Sequence, residues 1–209
     1  MTIQKGAAWG HVESTPFTLV VAPDEHAAAR AIGRGATHVQ LLSGDLLRAL
    51  GPVGQQTRLA PGQPSLQLPC DVMRVSINED ESFAAVGSVI IGSHWRPRAW
   101  LATGGFLGDL NVAPRAHPND GILDVLGFDP GLGVRGLLTI RRRMSRGDHL
   151  PHPMLSMHRD ADFEWASNDV RGGPARVVVD GRNHGRARRV RVVVHPDAFT
   201  LCLPTGAHR

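Results

Sequence analysis

Apolar residues in this chain come in short runs, and many of the runs alternate with polar positions. Phe17 to Ala22 (FTLVVA) predicts a strand. Pro23-Asp24 follows, and Asp24 stands where it can cap a helix over Glu25 to Ile32, which Gly33 and Gly35 then stop. His38 to Leu42 predicts a second strand. Ser43-Gly44-Asp45 is a turn, and Leu46 to Leu50 a short helix ended by Gly51-Pro52. Two strands and two short helices bury little by themselves, so this segment must pack on the rest.

Gly54 to Pro69 is rich in Gly, Pro and Gln and predicts a loop. Strand patterns dominate beyond it: Val72 to Ile77, Ser82 to Ile91, Trp95 to Ala102, Ile122 to Phe128, Val177 to Val179, Val190 to Val194 and Phe199 to Leu203. Asn78-Glu79-Asp80-Glu81, Asp180-Gly181 and His195-Pro196-Asp197 read as turns between them. Val134 to Ser145 is the one later segment with a helical pattern. The predicted class is α+β, mostly β: a β-sandwich or barrel-like domain over residues 70–209, with a short αβ appendage over 1–69 packed on it. No internal repeat or low-complexity tract is present.

Composition narrows this picture. The 209 residues suffice for a sizeable core, and 42% hydrophobic residues with a mean hydropathy of -0.14 are globular values. No apolar run has membrane-spanning length, and Met1 to Gly10 lacks the apolar stretch of a signal peptide, so the expected location is cytoplasmic. Cys70 and Cys202 sit in apolar surroundings and read as buried small hydrophobes. The net charge of +4 lies wholly in the second half. Such an excess suits an anionic lipid, a nucleotide or a nucleic acid.

Few chemical motifs survive inspection. The chain has no G-x-x-x-x-G-K-[ST] loop, no G-x-G-x-x-G after a strand and no G-x-S-x-G elbow. His149 and His152 are separated by a Pro and read as structural or surface histidines rather than metal ligands. Arg141, Arg142 and Arg143, with Arg135 and Arg146, form a basic helix that is either a solvated face or a contact for phosphate. Arginines alternate with valines in Arg189-Val190-Arg191-Val192 and so point out from one sheet face. A nucleic-acid-binding β domain is a third reading, weakened by only ten Phe and Trp, few of them near the arginines.

The segment Gly104 to Val125, GGFLGDLNVAPRAHPNDGILDV, resembles the diacylglycerol-kinase-like lipid kinases, which carry G-x-x-x-G-G-x-x-x-A-P-x-A-x-x-x-D-G-x-L-D-V. The likeness continues in order through the Leu/Arg-rich helix, Gly147-Asp148-His149-Leu150-Pro151-His152-Pro153, and Val177-Val178-Val179-Asp180-Gly181, so that it covers residues from about 72 to 204. It implies a β-sandwich that forms one cleft wall and the lipid side. It further implies that residues 1–69 are a truncated remnant of the nucleotide-binding domain. In some family members the turn at the Asp120 position binds a structural Mg²⁺. Carried over, its ligands would be the Asp120 carboxylate and the carbonyls of His117 and Ile122. The alternative at that turn is an Asx-turn without metal.

The catalytic parts depart from the family. The nearest match to its G-G-D-G-T phosphate loop is Ser43-Gly44-Asp45-Leu46-Leu47, where Leu46 and Leu47 replace Gly and Thr and should obstruct a phosphate. Arg182, permanently protonated, stands where the family places its catalytic carboxylate after Asp180-Gly181. Asp45 and Asp180 are the remaining candidate catalytic residues. The resemblance therefore implies a degenerate lipid-kinase relative that is not expected to use ATP. Its candidate partner is a lipid or membrane surface, with Arg141, Arg142 and Arg143 as candidate anion contacts. A rival reading is an active kinase completed by a partner subunit that supplies the nucleotide domain.

Overall fold

Two long strands, Pro64–Ile77 and Arg189–Pro204, pair antiparallel and frame the computed structural model, which describes residues 9–51, 57–167 and 173–205. In chain order the elements are β1 (His11–Ser14), β2 (Val20–Ala22), α1 (Glu25–Gly33), β3 (His38–Leu41), α2 (Asp45–Ala49), β4 (Pro64–Ile77), β5 (Phe83–Ala85), β6 (Ser88–Ser93) and β7 (Arg96–Ala102). The hairpin β8 (Phe106–Leu107) and β9 (Leu110–Asn111) follows, then β10 (Leu123–Phe128), α3 (Val134–Met144), β11 (Leu155–Asp160) and β12 (Asp162–Ala166). The chain closes with β13 (Ala175–Val179), β14 (Arg182–Ala187) and β15 (Arg189–Pro204). The fold is thus mostly β with few helices, as the alternation predicts.

One sheet has the order β1-β4-β15-β3-β2, with β5 on β4 and β12 on β15. The other has the order β11-β10-β7-β6-β13-β14. Successive residues of a strand point to opposite sides of the sheet, so β4 and β15 serve two cores, one from each face. Their Ile77- and Val190-proximal halves place Met73, Val75, Val190 and Val192 against Val89, Leu101, Val125 and Val177 of the second sheet. Their other halves place Leu68, Cys70, Leu201 and Leu203 against Ala28, Leu41 and Leu46 of the αβ segment. The outer face of the second sheet is covered by α3, whose Leu137, Ile140 and Met144, spaced i, i+3, i+7, meet Trp100, Leu126 and Phe128. Among the described residues no helix is long and apolar enough to cross a membrane.

Local signals act as predicted where they are strong. The Asp24 side chain accepts the Ala27 N–H at 2.8 Å and caps α1. Asp180 and Gly181, at φ of 44° and 74°, form the two-residue turn between β13 and β14. Cys70 and Cys202 are buried and free. Three local readings give way to pairing. The predicted loop at 54–69 becomes strand from Pro64 onward, where β4 lies between β1 and β15 and Gln67 donates to the Ser14 carbonyl at 3.2 Å; positions 52–56 of it lie outside the described residues. His195-Pro196-Asp197 is a bulge inside β15, with the pairing to β4 shifted between His195 and Phe199. Finally, β1, β11 and β14 are polar edge strands with little alternation. Strand β4 runs through position 69 without a break, so the αβ segment and the β domain share one sheet.

Candidate functional site

The chain leaves β3 and turns at Ser43-Gly44, where the Ser43 hydroxyl donates to the Pro23 carbonyl at 2.7 Å and Gly44 takes φ 136°. The backbone N–H groups that open α2 therefore have no capping side chain of their own. Glu25, in the first turn of α1, supplies the acceptor: its Oε1 takes the Leu46 N–H at 2.6 Å, and the neighbouring Asp45 N–H also favours its charged form. Only 7% of Glu25 is exposed. Two glycines make room for it, since a Cβ at Gly44 or Gly87 would overlap the Glu25 carboxyl. Burial pushes the Glu25 acid up to about 8, against the pull of the Leu46 N–H, with repulsion from Asp180 and Asp45 adding to the rise.

Asp180 reaches the same place from the opposite side. Its Oδ2 accepts the Val86 N–H, and its Oδ1 accepts the N–H groups of Gly87 and Ser88, all at 2.9 Å. Its own N–H donates to the Ser88 carbonyl at 2.9 Å. Burial raises this acid too, and the three N–H donors oppose the rise. Asp45 closes the group: its Oδ1 accepts the Gly108 N–H at 2.8 Å and ties α2 to the β8–β9 hairpin, beside the Arg48–Asp109 ion pair at 3.0 Å. The two predicted carboxylates thus lie in one cluster, with Glu25 between them. Arg182 sits at its edge, 3.7 Å from Asp24, with both side chains well exposed. Glu25 carries no sequence signal beyond its place in the first turn of a helix, and only the packing of α1 against Gly87 reveals it.

The three arginines of α3 do not join this cluster. Successive helix positions diverge by about 100°. Arg141 bonds His94 and lies over the Trp100 ring, Arg143 approaches Asp148, and Arg142 faces solvent without an ion pair among the described residues.

A second group of carboxylates surrounds Asp120. One Asp120 oxygen accepts the Ile122 N–H at 3.1 Å, an Asx-turn, and the other accepts Arg159 Nη2 at 2.6 Å. Arg159 Nε also lies 3.3 Å from the buried Asp124. Asp71 spans the turn, accepting the Gly121 N–H at 2.7 Å and the Asp197 N–H at 3.0 Å. Burial pushes both Asp71 and Asp124 up to about 6, and Arg159 opposes the rise at Asp124. The His117 carbonyl accepts the Asp120 N–H at 3.4 Å, and His117 Nδ1 accepts the Asn119 N–H at 3.2 Å. Mg²⁺ demands near-octahedral oxygen ligands. Here the Arg159 guanidinium stands on the Asp120 carboxylate, the one anionic group of the set His117, Asp120 and Ile122, and would compete with such an ion for it. Asp71 and Arg159 were not singled out by the motif, because each reaches the turn from a distant strand.

No family model and no curated protein matches the sequence. Solved structures do resemble it. One, of a candidate diacylglycerol kinase from Bacillus anthracis str. Sterne, superposes with a TM-score of 0.58 at 12% identity, covering 91% of this chain and 79% of that one. Another structure of a diacylglycerol kinase from the same organism gives 0.53 at 12% identity, covering 90% and 76%. The chain has the diacylglycerol-kinase-like fold, and identity at this level speaks for fold alone.

Proposed function

We propose that the protein is a lipid-kinase-like domain that no longer transfers phosphate from ATP and instead binds a lipid or another anionic ligand, in the cytoplasm and peripherally at a membrane surface. The observation that carries the loss of transfer is the Glu25 carboxyl on the N–H groups that open α2. An anion held at such a turn needs those same donors and the space before them. Glu25 takes both. Leu46 and Leu47 are buried in the αβ core, 1% and 5% exposed, and their packing fixes the turn that presents its N–H groups to Glu25. The base side fits the same reading: Asp180 spends its carboxylate on three backbone N–H groups, and Arg182, already protonated, cannot accept a proton.

Radiolabelled ATP with Mg²⁺ and diacylglycerol in mixed micelles tests this directly. The expected result is no label in the lipid above a protein-free control. Label transfer that depends on the protein and is lost in Asp180→Asn would overturn the reading.

A further inference from the structure

We infer that the outer face of the β11-β10-β7-β6-β13-β14 sheet carries a binding site for a ligand bearing several phosphoryl groups, built by Arg96, Arg98, Arg176 and Arg186. The four line one cavity of about 350 Å³, which has Gly92 and Ser93 at its floor. That volume is in the range of small-ligand sites. Sheet register explains its form. Arg96 and Arg98 lie on β7, two residues apart and so on one face. Arg176 on β13 stands directly opposite Arg186 on β14. Strand β6 runs between these pairs and contributes only Gly92 and Ser93 there. Gly92 takes φ 105° where β7 crosses close, and any Cβ would strike the backbone of Arg96 and Arg98. The result is a trough with a small-residue floor and guanidinium walls.

Charge points to the ligand. Among the described residues no carboxylate lines the cavity, and Arg96, Arg98 and Arg176 make no ion pair. Only Arg186 is partly engaged, donating from Nε to the Pro174 carbonyl at 2.8 Å. Elsewhere several sheet arginines find acids: Arg159, Arg189 and Arg191 pair with Asp120, Glu164 and Asp162, Arg74 of β4 being without one among the described residues. Like charges directly opposite in a sheet are destabilising. Arg176 facing Arg186 without a counter-ion is therefore a stability cost that a bound anion removes. Guanidinium forks suit phosphoryl oxygens, which they can grip in pairs. A cavity this size takes a compact polyphosphate or a phosphorylated head group. This site lies apart from the Glu25 turn, and its existence does not depend on whether the protein transfers phosphate.

Calorimetric titration of the full chain with inorganic tripolyphosphate, alongside co-sedimentation with phosphatidic-acid vesicles, tests the site. The expected result is saturable binding that weakens at least tenfold in Arg96→Ser/Arg98→Ser and in Arg176→Ser, as the loss of charge-assisted bonds requires. The exposed pair Arg34→Ser/Arg58→Ser, in the αβ segment, leaves it within twofold. Vesicle binding with the same arginine dependence identifies a lipid head group as the source of the phosphoryl groups, and tripolyphosphate binding alone identifies a soluble one. A second readout needs no ligand: because it relieves repulsion, Arg176→Ser melts no lower than the parent without ligand. Absence of binding to both probes overturns the inference. So does binding indifferent to the four arginines, or a short DNA duplex bound more tightly than tripolyphosphate through the same residues.

Discussion

The two carboxylate clusters of this protein solve one problem in opposite ways. At the α2 turn, Glu25 and Asp180 are buried against backbone N–H groups, and among the described residues neither has an ion pair. At the Asp120 turn, a mobile-chain cation has been brought in: Arg159 bridges Asp120 and Asp124, while Asp71 holds the turn's backbone. Glu25 is buried more deeply than Asp124, which is the main reason its acid rises to about 8 while Asp124 stops near 6; the Arg159 guanidinium adds to the difference. The first cluster is therefore a closed device that fixes backbone segments to one another. The second is an ion pair nearer the surface, in which Arg159 occupies the Asp120 carboxylate.

The largest expected effect comes from removing Asp180. Asp180→Ala strands three buried N–H groups and puts Ala at φ 44°, and should cost about 4 kcal/mol in urea unfolding. Asp180→Asn, which keeps one acceptor and tolerates that φ, should cost about half as much. Equal losses for the two would show that backbone strain, not hydrogen bonding, dominates the site.

Next is the pH response. The acid of Glu25 lies at about 8 in the fold against 4.5 in the open chain, so the native state holds the proton more tightly. Its contribution to stability is fullest below pH 4.5 and falls as pH rises to about 8; Asp71 and Asp124 act with the same sign up to pH 6. Stability should drop by roughly 2–4 kcal/mol between pH 5.5 and 8.5, and Glu25→Gln should flatten most of that slope. A slope unchanged in Glu25→Gln would move the titrating group elsewhere.

Arg159 sharpens the contrast between the clusters. Arg159→Ala should cost about 1–2 kcal/mol, discounted because nearly half of its side chain is in solvent. The parent's melting temperature should be the same in Mg²⁺ and in EDTA, whereas Arg159→Ala should regain part of its loss in Mg²⁺. A parent that gains several degrees from millimolar Mg²⁺ would refute the view that Arg159 stands in for a metal. The smallest effect is at the α1 cap that presents Glu25: Asp24→Ala should cost about 1 kcal/mol by thermal unfolding.

Much of the frame was legible because its causes are local. The Asp24 cap, the glycine stop after α1, the Asp180-Gly181 turn and the alternation in Val72 to Ile77 each depend on residues a few positions apart. Edge strands β11 and β14 were not legible, since polar sequences such as LSMHRD and RNHGRA become strands only by borrowing a neighbour's ladder. The candidate site divides in the same way. Asp45, Asp120 and Asp180 were marked by the family motifs that their turns resemble. Glu25 and Arg159 were not, because each acts on a segment 21 or 39 residues away.

Read alone, the sequence determined the mostly-β class, the position of the αβ segment and the conspicuous turns. These follow from backbone preference and periodicity, which act within a few residues. Tertiary structure decided what sits on each turn. A carboxyl, not open space, covers the α2 N–H groups, and an arginine takes the Asp120 carboxylate. Four arginines from three strands also come to share one trough. Desolvation and charge pairing depend on distance in space, and the fold alone sets that distance.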